Sequence, residues 1–223
     1  MPRPSLLAPV VIVIGIFGGT FDPIHYGHLR PAVEARDRLG LAEIRFFPAS
    51  VPPHRPPPVA GADDRRAMVE IAIRGFTGFH CDDRELRRAG PSYTVLTLTE
   101  LRAELGATPL CLFIGMDQFL EFETWHRWRE IPELAHLVVL NRPGLEEGKL
   151  PEWARACLAQ EPSDLAASPA GRLAILAVSP QDISASRIRM ALARGESVEG
   201  LLPDAVLNYI HHKGLYGPAH RGV

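Results

Sequence analysis

Residues 18–28 read Gly18-Gly19-Thr20-Phe21-Asp22-Pro23-Ile24-His25-Tyr26-Gly27-His28. Adjacent glycines let backbone N–H groups approach an anion with no Cβ in the way. His25 and His28 are three residues apart. If a helix begins here, both project near its N-terminus, where the positive end of the dipole favours phosphate. Imidazole N–H groups are donors for an oxyanion, so the combination suits phosphate chemistry. Pro31 fits a first helical turn, where its missing N–H costs nothing. Two familiar phosphate loops are excluded. A P-loop ends in Gly-Lys-Ser/Thr, and no lysine is present. A dinucleotide fingerprint needs Gly-x-Gly-x-x-Gly and an acid ending the next strand, which here ends Phe47-Pro48-Ala49-Ser50. The plain alternative is a strand-to-helix turn carrying two surface histidines. Glycines, histidines and position agree across the whole string, which favours the chemical reading.

Four more segments carry candidate chemistry. Pro52-Pro53-His54-Arg55 is either a rigid surface polyproline loop or a stiffened loop that presents His54 and Arg55 to phosphate. Ser92-Tyr93-Thr94 opens a predicted helix, which Ser92 or Thr94 would cap. Gly115-Met116-Asp117-Gln118-Phe119 precedes Trp125 and Trp128. Tryptophans three apart share a helix face, so both suit core packing; a flat aromatic ligand, however, needs a flat partner. Ile183-Ser184-Ala185-Ser186-Arg187-Ile188-Arg189 reads as a capped basic helix start, and its guanidinium groups could clamp phosphates. Metal sites are not expected: HExxH is missing, and His80-Cys81-Asp82-Asp83 lacks zinc spacing. His211-His212 suits a helix end favoured by the dipole.

The elements that must position these residues alternate strand and helix. The run Val10 to Ile14 predicts a buried first strand over about 10–17. Leu29–Leu39 predicts a helix stopped by Gly40. Strands are expected at Ile44–Pro48, near Gly78–Asp82, and at Leu110–Ile114, Leu137–Leu140 and Leu173–Val178. Helices are expected at Asp63–Arg74 with Asp63 as N-cap, Tyr93–Leu105, Ser184–Ala193 and Asp204–Lys213. Prolines keep 49–62 out of helix and central strand. Residues 141–171 read as an irregular connection with one helix around Trp153. About six strands alternating with helices make an α/β, doubly wound parallel sheet with a helical C-terminal end, whose ligands sit outside the carboxyl ends of the strands.

Composition limits the function classes. The chain has 223 residues, 46% hydrophobic and 22% charged, enough for one cored domain. We expect a leader over 1–9, one domain over 10–216 and a tail over 217–223. Lys plus Arg number 24 against 26 Asp plus Glu, a net charge of −2. Phosphate-driven binding of long nucleic acid needs a basic excess, so no nucleic-acid partner is expected. The apolar run Leu6–Phe17 is shorter than the ~20 residues of a spanning helix, so no membrane partner is expected either. Three cysteines with no CxxC pair point to a reducing, cytoplasmic compartment.

The string 18–28 resembles the HxGH nucleotidyltransferase superfamily, in the form GGTFDPIHxGH. From about Ile14 to Tyr216 the chain is similar to its bacterial nicotinate-nucleotide adenylyltransferase family. That resemblance implies a Rossmann-like nucleotidyltransferase fold and adenylyl transfer from ATP to nicotinate mononucleotide, with Mg²⁺ carried on ATP. It assigns His25, His28 and Arg189 to catalysis. Gly18, Gly19, Thr20, Phe21, His54, Arg55 and Ser186 go to ATP. Tyr93, Thr94, Gly115, Asp117 and Trp125 go to the mononucleotide, with Trp125 stacking on the pyridine ring and Trp128 structural. Asp117 would lie near the ribose or nicotinate pocket, and N–H groups after Gly115 would hold the nicotinate carboxylate. Two departures stand out. Leu96 sits where the family carries an acid, and Ala185-Ser186 replace Ser-Thr of the ISSTxIR pattern. Pantetheine-phosphate adenylyl transfer, cytidylyl transfer and a non-catalytic nucleotide sensor share parts of the pattern. A homo-oligomer is also left open.

Overall fold

The computed structural model describes residues 11–50, 56–141 and 150–217. His54, Arg55, the expected leader and all but Gly217 of the expected tail lie outside the described residues. Six strands form one parallel sheet: β1 (Ile14–Gly19), β2 (Glu43–Pro48), β3 (Phe79–Cys81), β4 (Leu110–Gly115), β5 (His136–Asn141) and β6 (Leu173–Ala177). Their order is β3-β2-β1-β4-β5-β6. Chain order therefore reverses between β1 and β4, the place where doubly wound sheets open a crevice at their carboxyl ends.

Helices cover both faces: α1 (Tyr26–Leu39), α2 (Ala62–Ile73), α3 (Arg84–Arg87), α4 (Thr94–Leu105), α5 (Met116–Leu120), α6 (Ile131–Leu134), α7 (Glu152–Ala156), α8 (Ala185–Ala193) and α9 (Asp204–Lys213). Strand pleating divides the core in two. In β4, Cys111 and Phe113 join Phe17, Phe46, Met68, Ile188 and Val206 on one face. Leu110, Leu112 and Ile114 join Ile16, Leu98, Phe122 and Ile131 on the other. Burial on both faces explains why β4 is apolar throughout.

Several expectations are corrected. β1 starts at Ile14, not at about 10, because its partners begin at Glu43 and Leu110; Val11 and Ile12 are about half exposed. Asp63 is not an N-cap. Gly61 holds that place, and Asp63 sits exposed in the first turn, where its charge still suits the dipole. Tyr93 is the N-cap of α4, so neither Ser92 nor Thr94 caps it. Trp125 and Trp128 share no helix: α5 ends at Leu120, and 3-10 turns follow at Phe122–Thr124 and Trp128–Glu130. Helix α3 is an addition in a segment where no element was expected.

Candidate active site

The glycine loop is built by close contacts. Gly19 ends β1, and a Cβ there would lie 2.8 Å from the Phe21 ring, so only glycine fits. Phe21 takes φ +50, a backbone region that costs a non-glycine residue about 1–3 kcal/mol. Complete burial of its ring, edge-on to Phe17 and His28, holds it there. Gly18 has open space where its Cβ would be, so its backbone is approachable.

His25 is the N-cap of α1 and His28 its third helical residue. Their rings stack at 3.9 Å with 29° between planes. His28 Nδ1 accepts from the His25 N–H at 3.3 Å, which leaves Nε2–H as the neutral ring's donor. The two rings are not equivalent. His28 is half-buried, whereas His25 is buried and its Nδ1 has no partner among the described residues. Burial lowers the His25 pKa to about 4, so this ring is neutral at pH 7 and offers a hydrogen bond rather than a charge. Gly27 makes the arrangement possible: a Cβ there would stand 2.9 Å from the His25 ring and 3.2 Å from the Ile183 carbonyl oxygen.

Residues far away in sequence complete the loop's surroundings. Arg189 of α8 donates to the Asp22 carbonyl oxygen at 2.6 Å and lies 3.6 Å from the Asp22 carboxylate. Ser186 Oγ sits 3.4 Å from the same guanidinium. Ser184, rather than Ser186, caps α8 by accepting from Arg187 N–H. Arg187 turns to Asp182 at 2.9 Å.

Beside the loop, at the β1–β4 reversal, lies a cavity of about 200 Å³. Gly18, Gly19 and Thr20 form one wall, and Ile16, Leu112 and Ile114 form the sheet side. Tyr93, Thr94 and Trp125 line it together, and His126 stacks on Tyr93 at 4.2 Å. Trp128 packs instead on Phe122 and Trp153. Gly115 and Asp117 are outside the lining. The Gly115 N–H is taken by Gln118 Oε1 at 3.2 Å, and Asp117 is exposed. Leu96, in the acid's place, packs with the second core cluster.

Four residues of this region carried no sequence-level role. Asp22, inside the motif itself, accepts from Val59 and Ala60 N–H and from Tyr216 O–H at 2.8, 3.0 and 2.6 Å. Burial and the Asp22 carboxylate push the Tyr216 phenol pKa up. Arg65 is 2% exposed and donates to the carbonyls of Thr20, Ala49, Ala60 and Ser50. Burial pulls its pKa down, opposed by Asp22. Glu85, on α3, lines the cavity floor. A buried polar residue is recognisable only from its partners, and a single sequence does not show these. Asp22 alone had a signal, its place in the motif.

Residues 16–191 match the cytidylyltransferase-like family model. A probable nicotinate-nucleotide adenylyltransferase of Methylococcus capsulatus is 49% identical over 209 residues, covering 92% of this chain and 99% of the relative. One of the same name from Halorhodospira halophila is 50% identical, covering 92% and 95%. Among solved structures, the Plasmodium falciparum nicotinic acid mononucleotide adenylyltransferase complexed with NaAD superposes with a TM-score of 0.69. It is 16% identical and covers 92% of this chain and 97% of that one, a likeness of fold.

Proposed function

The chain belongs to the nicotinate-nucleotide adenylyltransferases of the cytidylyltransferase-like family, and on that premise we infer that it transfers the adenylyl group of ATP to nicotinate mononucleotide, releasing pyrophosphate and forming nicotinate adenine dinucleotide. One observation in the structure supports this most: a single loop borders an aromatic cavity at the sheet's reversal with Gly18–Thr20 and carries the stacked His25–His28 pair at its far end.

The attacking group is a phosphate oxygen, already ionised at pH 7, so no general base or covalent nucleophile is required. Catalysis consists of aligning two anionic substrates and stabilising charge on the departing pyrophosphate. His28 donates from Nε2 to triphosphate oxygens, and neutral His25 supports it from beneath. Arg189, held against Asp22 in the free chain, supplies the charged clamp. Gly18 and Gly19 let the triphosphate lie close to backbone N–H groups, with Thr20, Phe21 and Ser186 around it; His54 and Arg55, which the family resemblance assigns to ATP, lie outside the described residues. Tyr93, Thr94 and Trp125 bind the acceptor base. We keep Gly115 and Asp117 as acceptor-side residues of lesser weight, since they stand outside the cavity lining.

Among the described residues no set of three or more His, Cys, Asp or Glu side chains is arranged to hold a metal. The divalent ion of the transfer, Mg²⁺ in our reading, would ride on the ATP phosphate oxygens and offset their charge. No helix among the described residues is long and apolar enough to cross a membrane. The free cysteines Cys81, Cys111 and Cys157 support our placing the enzyme in the reducing cytoplasm. The test is pyrophosphate release from ATP with nicotinate mononucleotide, its amide analogue and phosphopantetheine as acceptors, and from CTP. Release with ATP and nicotinate mononucleotide is expected to dominate; preference for another pair refutes the assignment.

A further inference from the structure

The cavity floor holds an unusual charge. Glu85 is 7% exposed, and burial pushes its carboxyl pKa up. Thr97 Oγ1 donates to it at 2.7 Å, and the Ser92 hydroxyl also donates to it. The Ser92 oxygen in turn accepts from Ser50 N–H at 2.8 Å. These are neutral donors. The charge of the nearby Arg88 guanidinium partly offsets the effect of burial on Glu85, but that group reaches Thr97 Oγ1 at 3.2 Å and pairs with Glu100 at 2.8 Å. Among the described residues, no cation stands within ion-pair distance of Glu85. A buried carboxylate with no cation in contact is costly, and chains that keep one usually have a cation to set against it.

The cavity supplies none. Its lining includes Glu85 and Glu121 but no lysine or arginine, and among its aromatic residues are Tyr93 and Trp125, side chains of a kind that attracts cations. We propose that Glu85 is a specificity-determining residue whose buried carboxylate selects an acceptor with a cationic, N-ribosylated pyridinium ring over neutral-ring mononucleotides. This rests on the assignment of the cavity to the acceptor base. The ring enters with its positive charge facing the floor and its own carboxylate turned from Glu85, since like charges repel. Glu85 also ties Ser92 and Thr97 to the tip of β2 through Ser50, so the charge is held in place rather than mobile.

The test compares kcat/KM for nicotinate mononucleotide and its 1,4-dihydro form, whose ring is neutral, with ATP as donor. Wild type is expected to favour the pyridinium form by at least about tenfold, as a close, poorly solvated charge pair implies. Glu85→Gln keeps the shape, loses the charge and should reduce that preference about tenfold, with KM for ATP changed less than about twofold. Thr97→Val removes a hydrogen bond but keeps the charge, and should retain the preference. A wild-type ratio near one overturns the proposal, and that measurement decides it even if Glu85→Gln does not fold. So does a Glu85→Gln ratio equal to wild type, or a Thr97→Val ratio that collapses equally. Failure of wild type to use nicotinate mononucleotide at all would instead refute the assigned reaction.

Discussion

Adding one methyl group at Gly27 should separate the geometry of the histidine pair from the stability of the fold. An alanine Cβ there would sit 2.9 Å from Cε1 and Nδ1 of His25 and 3.2 Å from the Ile183 carbonyl oxygen. Carbon contacts relax at about 3.5–4.0 Å, so the His25 ring must move by at least about 0.5 Å. It cannot move freely, because His28 stacks on it at 3.9 Å and it is buried. Such overpacking costs about 1–3 kcal/mol, while replacing a helical glycine by alanine returns about 0.5–1 kcal/mol. The net loss is about 0–2.5 kcal/mol, or at most about 10 °C in Tm for a chain of this size. Catalytic groups tolerate displacement poorly: about 1 Å costs about 100-fold, so a half-ångström shift should lower kcat/KM about 10-fold or more. The assay measures thermal midpoint and pyrophosphate release on the same preparation at 25 °C, where the variant remains folded. Gly18→Ala is the contrast. Its Cβ meets nothing within 4 Å, so Tm should hold while KM for ATP rises as the triphosphate is kept off the backbone. A Gly27→Ala enzyme with wild-type kcat/KM would refute the claim that the ring stack positions His28.

Acid should act through His25. Its folded pKa, about 4, lies below the unfolded 6.5, so the unfolded chain binds the extra proton between those values. Stability is complete above pH 6.5 and falls as pH drops towards 4, by about 3 kcal/mol at 1.4 kcal/mol per pKa unit. His25→Gln should flatten that loss in denaturant titrations, and an unchanged pH profile contradicts it. Arg65→Met removes the guanidinium from four carbonyls and leaves Asp22 with Arg189 as its nearby cation, and should cost about 3–5 kcal/mol; a change in denaturation midpoint equivalent to less than 1 kcal/mol, on the order of one ordinary hydrogen bond, counts against that account. Trp125→Ala should raise KM for the mononucleotide up to about tenfold with KM for ATP unchanged, because stacking is worth about 0.5–1.5 kcal/mol. Trp128→Ala should instead cost stability, by less than the ~3–5 kcal/mol of a fully buried aromatic because Trp128 is half-buried, and the reverse pattern would show that the ligand face is misassigned.

The sequence alone determined the plan of the protein. Apolar, β-branched runs bounded by glycine can be satisfied only as buried parallel strands joined by helices, and local spacing suffices to read them. Gly18 to His28 was legible for the same reason: the contacts that set its tight turn, from the Phe21 ring over Gly19 to the stacked imidazoles, lie within about ten residues. What tertiary structure decided is whatever needed a partner. β1 begins at Ile14 and not earlier because hydrogen-bonding strands exist beside it only from there. Arg189 meets Asp22 across 167 residues of chain. Trp125 lines the cavity and Trp128 packs in the Trp153 cluster because Trp125 follows one 3-10 turn in extended backbone and Trp128 opens the next, so helical periodicity does not apply. Glu85 and Arg65 look like ordinary surface charges in sequence. Only the packed chain removes their water, and removal of water is what turns one into a carbonyl clamp and the other into the charge on the cavity floor.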